Sequence, residues 1–219
     1  MMIKVVSFDI GGTLLEDSHD NPNNYNLKEL AKIVNMPYKN VRDVYKNVFQ
    51  KSNGTLNELV GKFCNDLGIS NTENLNNFFI GKFSDNNIIN TISNDKIILI
   101  RDLKENGYKV ILFSNNCCLL NNDVIKEICY LVDGVFYSYD IGYTKDDKES
   151  YQYVEKTLNV KPAEILHIGD TLKSDYLKPV ENGWNALFYG VSDDESVNCI
   201  SSLMELYDFF DIRTSKKIN

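Results

Sequence analysis

The sequence predicts an α/β fold: a doubly wound, Rossmann-like parallel sheet with an all-helical segment inserted after the first strand. Residues 3–8 form a short apolar run rich in β-branched side chains, which is typical of a strand buried on both faces of a parallel sheet. From Asp95 onward, apolar runs of strand length alternate with amphipathic helical patterns, as in a sheet covered by helices. Between these regions, residues 27–83 follow a helical period throughout.

The inserted segment contains successive helical patterns bounded by polar linkers. One pattern begins with a capping box formed by Thr55 and Glu58, and we expect it to end at Gly68. An earlier pattern is expected to end at Met36-Pro37, because proline does not continue a helix. The helical patterns cover residues 27–34, 41–48, 55–67 and 75–83, and the Asn-rich linkers cover residues 16–26 and 84–95.

The region after the second linker predicts alternating helices and strands. We therefore divide the chain into an α/β core, residues 1–16 and 91–215, and a helical domain, residues 17–90. The predicted helices cover residues 97–104, 124–131 and 148–158, a segment that ends at Asn182-Gly183, and residues 200–210. The predicted strands cover residues 108–116, 134–138, 164–170 and 185–189.

The charge of the chain limits its partners. With 23 Lys and Arg against 31 Asp and Glu, the formal net charge is −8, which disfavours binding to nucleic acid because a phosphate backbone rewards clustered cations. An acidic protein that handles phosphate needs a metal ion or a focused positive site. The sequence does not predict an oligomeric state.

The cysteines predict a reducing environment. Five is an odd number, and no pair has the Cys-x-x-Cys spacing of a zinc or redox site, so we expect free thiols in the cytoplasm. No apolar run approaches membrane length, and we expect no membrane partner. The cysteines are Cys64, Cys117, Cys118, Cys129 and Cys199.

Polar residues follow the apolar part of several predicted strands or lie in the loops beyond them. Because ligands of an open α/β sheet bind beyond the carboxyl ends of its strands, we expect these side chains to lie close together. They are Asp9 after the first strand, Ser114 and Asn115 after the second, Lys145 in a later loop, and Asp170 with Asp175 after the strand at residues 164–170.

The order of these residues resembles the four motifs of the haloacid dehalogenase-like hydrolases. "FDIGGTLL" is similar to the first motif, "ILFSNN" to the second, "YTKDDKESY" to the third and "HIGDTLKSDY" to the fourth. The resemblance covers nearly the whole chain except the helical insertion, which it identifies as a C1-type cap. It implies a Mg²⁺-dependent phosphatase that acts on a small phosphorylated metabolite through an aspartyl-phosphate.

The chemistry of such a phosphatase assigns the metal site and the nucleophile. The carboxylate of Asp9 is the expected nucleophile, since a carboxylate can attack phosphorus and divide one difficult displacement into two easier ones. Mg²⁺ prefers oxygen ligands, which Asp9, Asp170 and Asp175 supply. The resemblance adds the backbone carbonyl of Gly11 as a further metal ligand.

The phosphoryl group needs its own contacts. Ser114 and Lys145 are the expected catalytic partners of Asp9, because a hydroxyl and an ammonium stabilise the charge on the transferring oxygens. We expect Thr13 and Asn115 to bind phosphate together with them.

Gly11 departs from the pattern of the family. Phosphatases of this group commonly carry an aspartic acid there, which protonates the leaving oxygen and then activates water. Loss of such acid–base assistance costs about 10²- to 10⁴-fold in rate. We therefore expect weakened catalysis, least so on acyl or aryl phosphates, whose leaving groups depart unprotonated.

Several alternatives to a phosphatase follow from the same residues. Gly11 also suits a regulatory protein that binds phospho-ligands with little catalysis. A phosphonatase-like enzyme that cleaves a C–P bond would need a lysine from the insertion, where Lys28, Lys32 and Lys39 are available. Dehalogenases need no metal, so retention of Asp170 and Asp175 disfavours that activity.

An actin-like sugar kinase shares the letters "DIGGT" but not their context. In that architecture a β-hairpin follows the motif, whereas a polar linker and helices follow it here. We expect neither histidine to be catalytic. His167 lies within an apolar strand and is expected to pack in the core, and His19 is expected to lie on the surface of a linker.

Overall fold

A computed structural model of the chain describes residues 2–17, 26–84, 90–120 and 123–213. The predictions for His19 and for the end of the core at residue 215 lie outside these ranges, as do most of the first predicted linker and residues 85–89 of the second.

The core is a six-stranded parallel sheet with the strand order β5-β4-β1-β6-β7-β8. Strand β1 lies inside the sheet, where Val5 pairs with Lys109 on one side and Ile165 on the other, and all four of its residues are buried. The predicted parallel α/β fold is therefore confirmed. The strands are β1 (Val5–Phe8), β4 (Lys109–Ser114), β5 (Gly134–Tyr137), β6 (Ile165–Gly169), β7 (Asn185–Tyr189) and β8 (Cys199–Ile200).

Helices connect the strands of this sheet. The connections include α5 (Asn94–Glu105), α6 (Asp123–Leu131), α7 (Ser138–Ile141), α8 (Lys148–Leu158) and α9 (Lys178–Glu181), and α10 (Leu206–Phe209) follows the last strand. Within the described ranges, none of the helices combines the length and the apolar content that crossing a bilayer requires.

The insertion after β1 is helical, as predicted. Its helices are α1 (Leu27–Ile33), α2 (Tyr38–Phe49), α3 (Leu56–Leu67) and α4 (Glu73–Phe83). Thr55 and Glu58 form the expected capping box of α3, and Gly68 ends that helix in the left-handed conformation. The helices of the insertion share an apolar cluster, in which Phe49 stacks on Phe79 with 4.9 Å between ring centroids and which Cys117 of the core joins.

A short antiparallel ribbon lies where the insertion leaves and rejoins the core. Strand β2 (Glu16–Asp17) pairs with β3 (Asn90–Thr91). The domain boundaries expected from the sequence, at residues 16/17 and 90/91, fall within this ribbon.

The C-terminal part of the chain differs from the sequence prediction. Residues 200–210 were expected to form one helix, but Ile200 pairs with Tyr189 and adds the last strand of the sheet. The helical conformation starts only after Ser202, whose side chain forms a capping box with Glu205. Ile200 is buried in the core cluster, so its burial in the sheet outweighs the local helical pattern.

Candidate active site

The carboxyl ends of β1, β4 and β6 meet at one edge of the sheet and form the wall of a cavity of about 570 Å³. The insertion contributes to the same cavity through Gln50 and Lys82. The predicted site residues that line it are Asp9, Gly11, Ser114, Asn115, Lys145, Asp170 and Asp175.

Thr13 is the predicted site residue that the structure does not bring to the cavity wall. Its side chain is fully buried, and its Oγ1 has no hydrogen-bond partner among the described residues. The turn after β1 directs the backbone N–H groups of residues 13–15 back to the carbonyl of Ile10 and turns Thr13 inward. A direct contact from this hydroxyl to phosphate therefore has no support.

Lys145 joins two of the acidic residues. Its Nζ lies 2.6 Å from Asp9 Oδ1 and 2.5 Å from Asp175 Oδ1, and its side chain is 2% exposed. Burial alone would lower the pKa of this ammonium, but the charges of Asp9 and Asp175 outweigh that effect and raise it. Lys145 is thus a fixed positive charge at the wall of the cavity.

The loop that carries Lys145 is held from both sides. Asn115 Oδ1 accepts a hydrogen bond of 2.8 Å from the backbone N–H of Lys145, and the hydroxyl of Tyr151 donates one of 2.9 Å to its carbonyl. Asn115, predicted from the strand end alone, therefore also positions Lys145. Tyr151 was not predicted, because its contact depends on how α8 packs under the loop.

Asp9, Asp170 and Asp175 gather at one point. Each offers a carboxylate oxygen, and these oxygens lie within 4.8 Å of one another. Partial burial, followed by the negative charges of Asp9 and Asp175, raises the pKa of Asp170 to about 6. A hard divalent cation with oxygen ligands would relieve this repulsion, and the donor set fits Mg²⁺.

Asp175 is held by an irregular segment after β6. Residues Leu172–Leu177 form a π-helical turn, a conformation that often occurs at functional sites. The backbone N–H of Thr171 donates a 2.9 Å hydrogen bond to Asp175 Oδ2. Gly169 makes the close approach possible, since a β-carbon there would lie 2.5 Å from the Asp175 carboxyl carbon.

His167 is buried in β6, as predicted, but it also contacts the site. Its Nε2 lies 3.3 Å from Asp175 Oδ1, and its Nδ1 lies 2.9 Å from the hydroxyl of Ser7. Burial and then the charge of Lys145 lower the pKa of this imidazole. The contact with Asp175 depends on the π-helical turn and has no signal in the sequence.

The insertion also contacts the loop that follows Lys145. Lys46 pairs with Asp146, and Lys51 Nζ lies 2.7 Å from Asp147 Oδ2. Asp147 accepts hydrogen bonds of 2.8 Å from both the backbone N–H and the hydroxyl of Thr144. The insertion and the Lys145 loop are therefore joined by two adjacent ion pairs.

A family model of haloacid dehalogenase-like hydrolases matches residues 3–177, which include every one of the gathered acidic and basic residues. The chain belongs to this family. The four motifs identified in the sequence lie within the matched range.

One relative by sequence and several solved structures are similar to this haloacid dehalogenase-like hydrolase. An uncharacterised hydrolase of Schizosaccharomyces pombe is 26% identical, and the match covers 84% of this chain and 89% of that protein. An L-2-haloacid dehalogenase structure has a TM-score of 0.64 at 15% identity and covers 96% of this chain and 100% of its own.

Two further structures of the family are similar. A phosphatase of Thermococcus onnurineus has a TM-score of 0.59 at 19% identity, over 95% of this chain and 98% of its own. A Bacteroides thetaiotaomicron enzyme, in complex with magnesium and inorganic phosphate, has a TM-score of 0.56 at 18% identity, over 89% of this chain and 98% of its own. At these identities the likeness establishes the haloacid dehalogenase-like fold and leaves the reaction to be argued from the site.

Proposed function

We propose that this hydrolase is a Mg²⁺-dependent phosphatase that acts on a small phosphorylated molecule. One observation carries the proposal: Asp9, Asp170 and Asp175 offer oxygens within 4.8 Å of one another at the floor of a cavity, beside the buried ammonium of Lys145. Such a cluster suits a cation and a phosphoryl group better than it suits a halogenated acid. The insertion is then a C1-type cap over the site.

In the proposed reaction, Asp9 is the nucleophile. Lys145 holds Asp9 Oδ1, which leaves Oδ2 to attack phosphorus. A bond forms between Oδ2 and phosphorus as the bond to the leaving oxygen breaks, and water then attacks the same phosphorus and releases Asp9 and inorganic phosphate. When bound by Asp9, Asp170, Asp175 and the carbonyl of Gly11, Mg²⁺ would neutralise the phosphate dianion.

The transferring oxygens would be held by groups at the carboxyl end of β4 and in the Lys145 loop. Ser114 offers a hydroxyl at the cavity wall, and Asn115 keeps its amide nitrogen for phosphate while its oxygen accepts the N–H of Lys145. The positive charge of Lys145 lies next to the attacking carboxylate, where negative charge accumulates.

Gly11 sets the range of leaving groups. Position 11 lines the cavity and has no side chain that could donate a proton. Substrates whose leaving group departs without protonation are therefore favoured, and acyl and aryl phosphates are the class to test first.

The experiment is phosphate release from acetyl phosphate and para-nitrophenyl phosphate, with and without Mg²⁺. We expect release that requires Mg²⁺ and that disappears in Asp9→Asn. Asp66→Asn, which removes an exposed carboxylate on α3, is the matched control and should retain activity. Full activity of Asp9→Asn would show that Asp9 is not the nucleophile.

Gly11 also favours a second candidate function, a regulatory protein that binds phospho-ligands with little turnover. A panel of phosphate esters without turnover, together with Mg²⁺-dependent thermal stabilisation by those esters, would support it. A phosphonatase-like reaction would need a lysine at the cavity. Lys28, Lys32 and Lys39 are exposed and do not line it, so the structure gives no support for any of the three as the amine nucleophile.

We also propose that the protein works in the cytoplasm. All five cysteines are free thiols, as suits a reducing compartment. Resistance of the folded protein to reductant, with unchanged melting temperature, would agree with this; a loss of stability on reduction would contradict it.

A further inference from the structure

A chain of buried hydrogen bonds runs from strand β1 to Asp175. Ser7 and His167 are direct partners across β1 and β6, and both side chains are fully buried. His167 Nδ1 lies 2.9 Å from the hydroxyl oxygen of Ser7, and His167 Nε2 lies 3.3 Å from Asp175 Oδ1. The proposed reaction assigns no role to Ser7 or His167, and neither residue lines the cavity.

The two contacts of His167 determine which of its nitrogens carries the proton. Beside the ammonium of Lys145, the carboxylate of Asp175 is ionised and can only accept hydrogen bonds, so Nε2 is the nitrogen that donates. Burial and then the charge of Lys145 lower the pKa of the ring, which is therefore neutral and has Nδ1 as an acceptor. The hydroxyl of Ser7 donates to Nδ1, and this hydrogen bond favours the Nε2–H tautomer.

Aromatic side chains hold the imidazole in this orientation. The ring centroid of His167 lies 5.8 Å from that of Phe113 and 6.3 Å from that of Trp184, and both contacts are edge-to-face. Phe113 and Trp184 are themselves buried, and the hydrogen bond from Ser7 opposes a flip of the ring. His167 therefore presents Nε2 to Asp175 in a fixed direction.

The hydrogen bonds on Asp175 leave one of its acceptor positions open. Each carboxylate oxygen has about two lone pairs. Lys145 Nζ and His167 Nε2 occupy both positions on Oδ1, and the backbone N–H of Thr171 occupies one on Oδ2. Within the part of the chain that the structure describes, no other donor reaches this carboxylate, so the second position on Oδ2 is the one that a cation can take.

We propose that His167 is a positioning residue for the metal site. By occupying Oδ1, its Nε2–H opposes rotation of the Asp175 carboxylate and keeps Oδ2 for the divalent cation, and Ser7 acts through His167. This inference rests on the proposed function, in which Asp175 is a ligand of Mg²⁺. Hydrogen-bond partners of metal ligands typically contribute about 10- to 100-fold to metal affinity.

The first measurement is the tautomer of His167 in the wild-type protein at neutral pH, by ¹⁵N NMR of the imidazole nitrogens. The chain has two histidines, so a His19→Gln variant identifies the signals of His167. We expect a protonated Nε2 and an unprotonated Nδ1. A proton on Nδ1, or exchange between the two tautomers, would overturn the inference without the need for any variant of a buried residue.

The second measurement is the Kd for Mg²⁺ by calorimetry, which does not depend on turnover. We expect His167→Phe to raise this Kd about 10- to 100-fold and Ser7→Ala to raise it by less. Because Ser7 acts through His167, the double variant should bind Mg²⁺ no more weakly than His167→Phe alone. Additive effects of the two substitutions would overturn the inference, since they would indicate two separate losses of packing.

Tyr176→Phe is the matched control, because it removes a hydroxyl from the same π-helical turn whose hydrogen bond goes to the carbonyl of Ser196. It should bind Mg²⁺ as the wild type does, and melting curves should show that each variant is folded. Equal Mg²⁺ affinity of the wild type and a folded His167→Phe variant would overturn the inference while leaving the proposed function intact. A wild type that does not bind Mg²⁺ would contradict the proposed function and, with it, the role of His167.

Discussion

The carboxylate of Asp170 occupies the space that a β-carbon on Gly12 would need. Gly12 also has a φ of 68°, in the left-handed region that favours glycine. The neighbouring Gly11 differs in both respects, since nothing lies within 4 Å of its β-carbon position and its φ is not positive. Of the two glycines in the first motif, Gly12 is required by the packing of Asp170 and Gly11 is not.

The first prediction compares Gly12→Ala with Gly11→Ala. We expect Gly12→Ala to lower the free energy of unfolding by about 1–3 kcal/mol, because it adds backbone strain and displaces Asp170. Gly11→Ala should change that free energy by less than about 0.5 kcal/mol. Urea denaturation of both variants measures the difference. Equal stabilities would contradict the packing that we describe between Gly12 and Asp170.

The second prediction concerns the proton shuttle at position 11. Because the position is open, Gly11→Asp should fold and add a carboxyl group at the cavity. We expect turnover of alkyl phosphates such as glycerol 3-phosphate to rise about 10²- to 10⁴-fold, the range for general acid–base catalysis. Gly11→Asn, which has the same shape without the acid, is the matched control. A gain in neither variant would show that another group already transfers the proton.

The third prediction concerns Lys145. Lys145→Met removes the buried cation that lies between Asp9 and Asp175 and leaves their charges uncompensated. We expect a loss of about 3–5 kcal/mol in the free energy of unfolding, as for other buried pairs that lose one partner. Added Mg²⁺ should raise the melting temperature of this variant more than that of the wild type, since the cation then offsets the same charges.

Lys148→Met provides the control for this experiment, because Lys148 lies only three positions away but is exposed at the start of α8. Its stability and its response to Mg²⁺ should match the wild type. If Lys145→Met were as stable as Lys148→Met, the ion pairs around Lys145 would contribute nothing to the fold.

The sequence was sufficient for five of the six strands of the core sheet and for most of the predicted residues that line the cavity, and the reason is physical. Strand ends such as Asp9 and Ser114 converge in any parallel sheet, so their meeting follows from the order of the elements alone. The direction of a side chain within a tight turn does not follow from that order. Thr13 therefore faces the interior, although it lies only four residues after Asp9.

Contacts between elements that are distant along the chain could not be predicted from the sequence either. The partnership of His167 with Asp175 requires the π-helical turn, and the arrival of Lys82 at the cavity depends on how α4 packs in the insertion. At residues 200–210, by contrast, the local sequence pattern predicts a structure that a distant contact prevents. The sequence pattern of these residues is helical, but pairing with β7 places Ile200 in the sheet.

The last prediction concerns the ion pairs between the insertion and the Lys145 loop. Lys46 pairs with Asp146, which also lies 3.5 Å from Lys173 in the segment that leads to Asp175. Asp146 is thus positioned to link the insertion with both sides of the site. Lys46→Glu places two like charges together, and we expect it to weaken the association of the insertion with the core and to raise KM for phosphate esters.

The double variant Lys46→Glu/Asp146→Lys restores opposite charges and should recover part of the loss. A double-mutant cycle on the free energy of unfolding should give a coupling of about 1 kcal/mol, since the pair is partly exposed, and the coupling should shrink as salt is added. Lys62→Glu, on the exposed face of α3, controls for the change in net charge and should leave KM unaltered. A coupling of zero at low salt, with unchanged KM in Lys46→Glu, would show that the contact does not hold the insertion over the site.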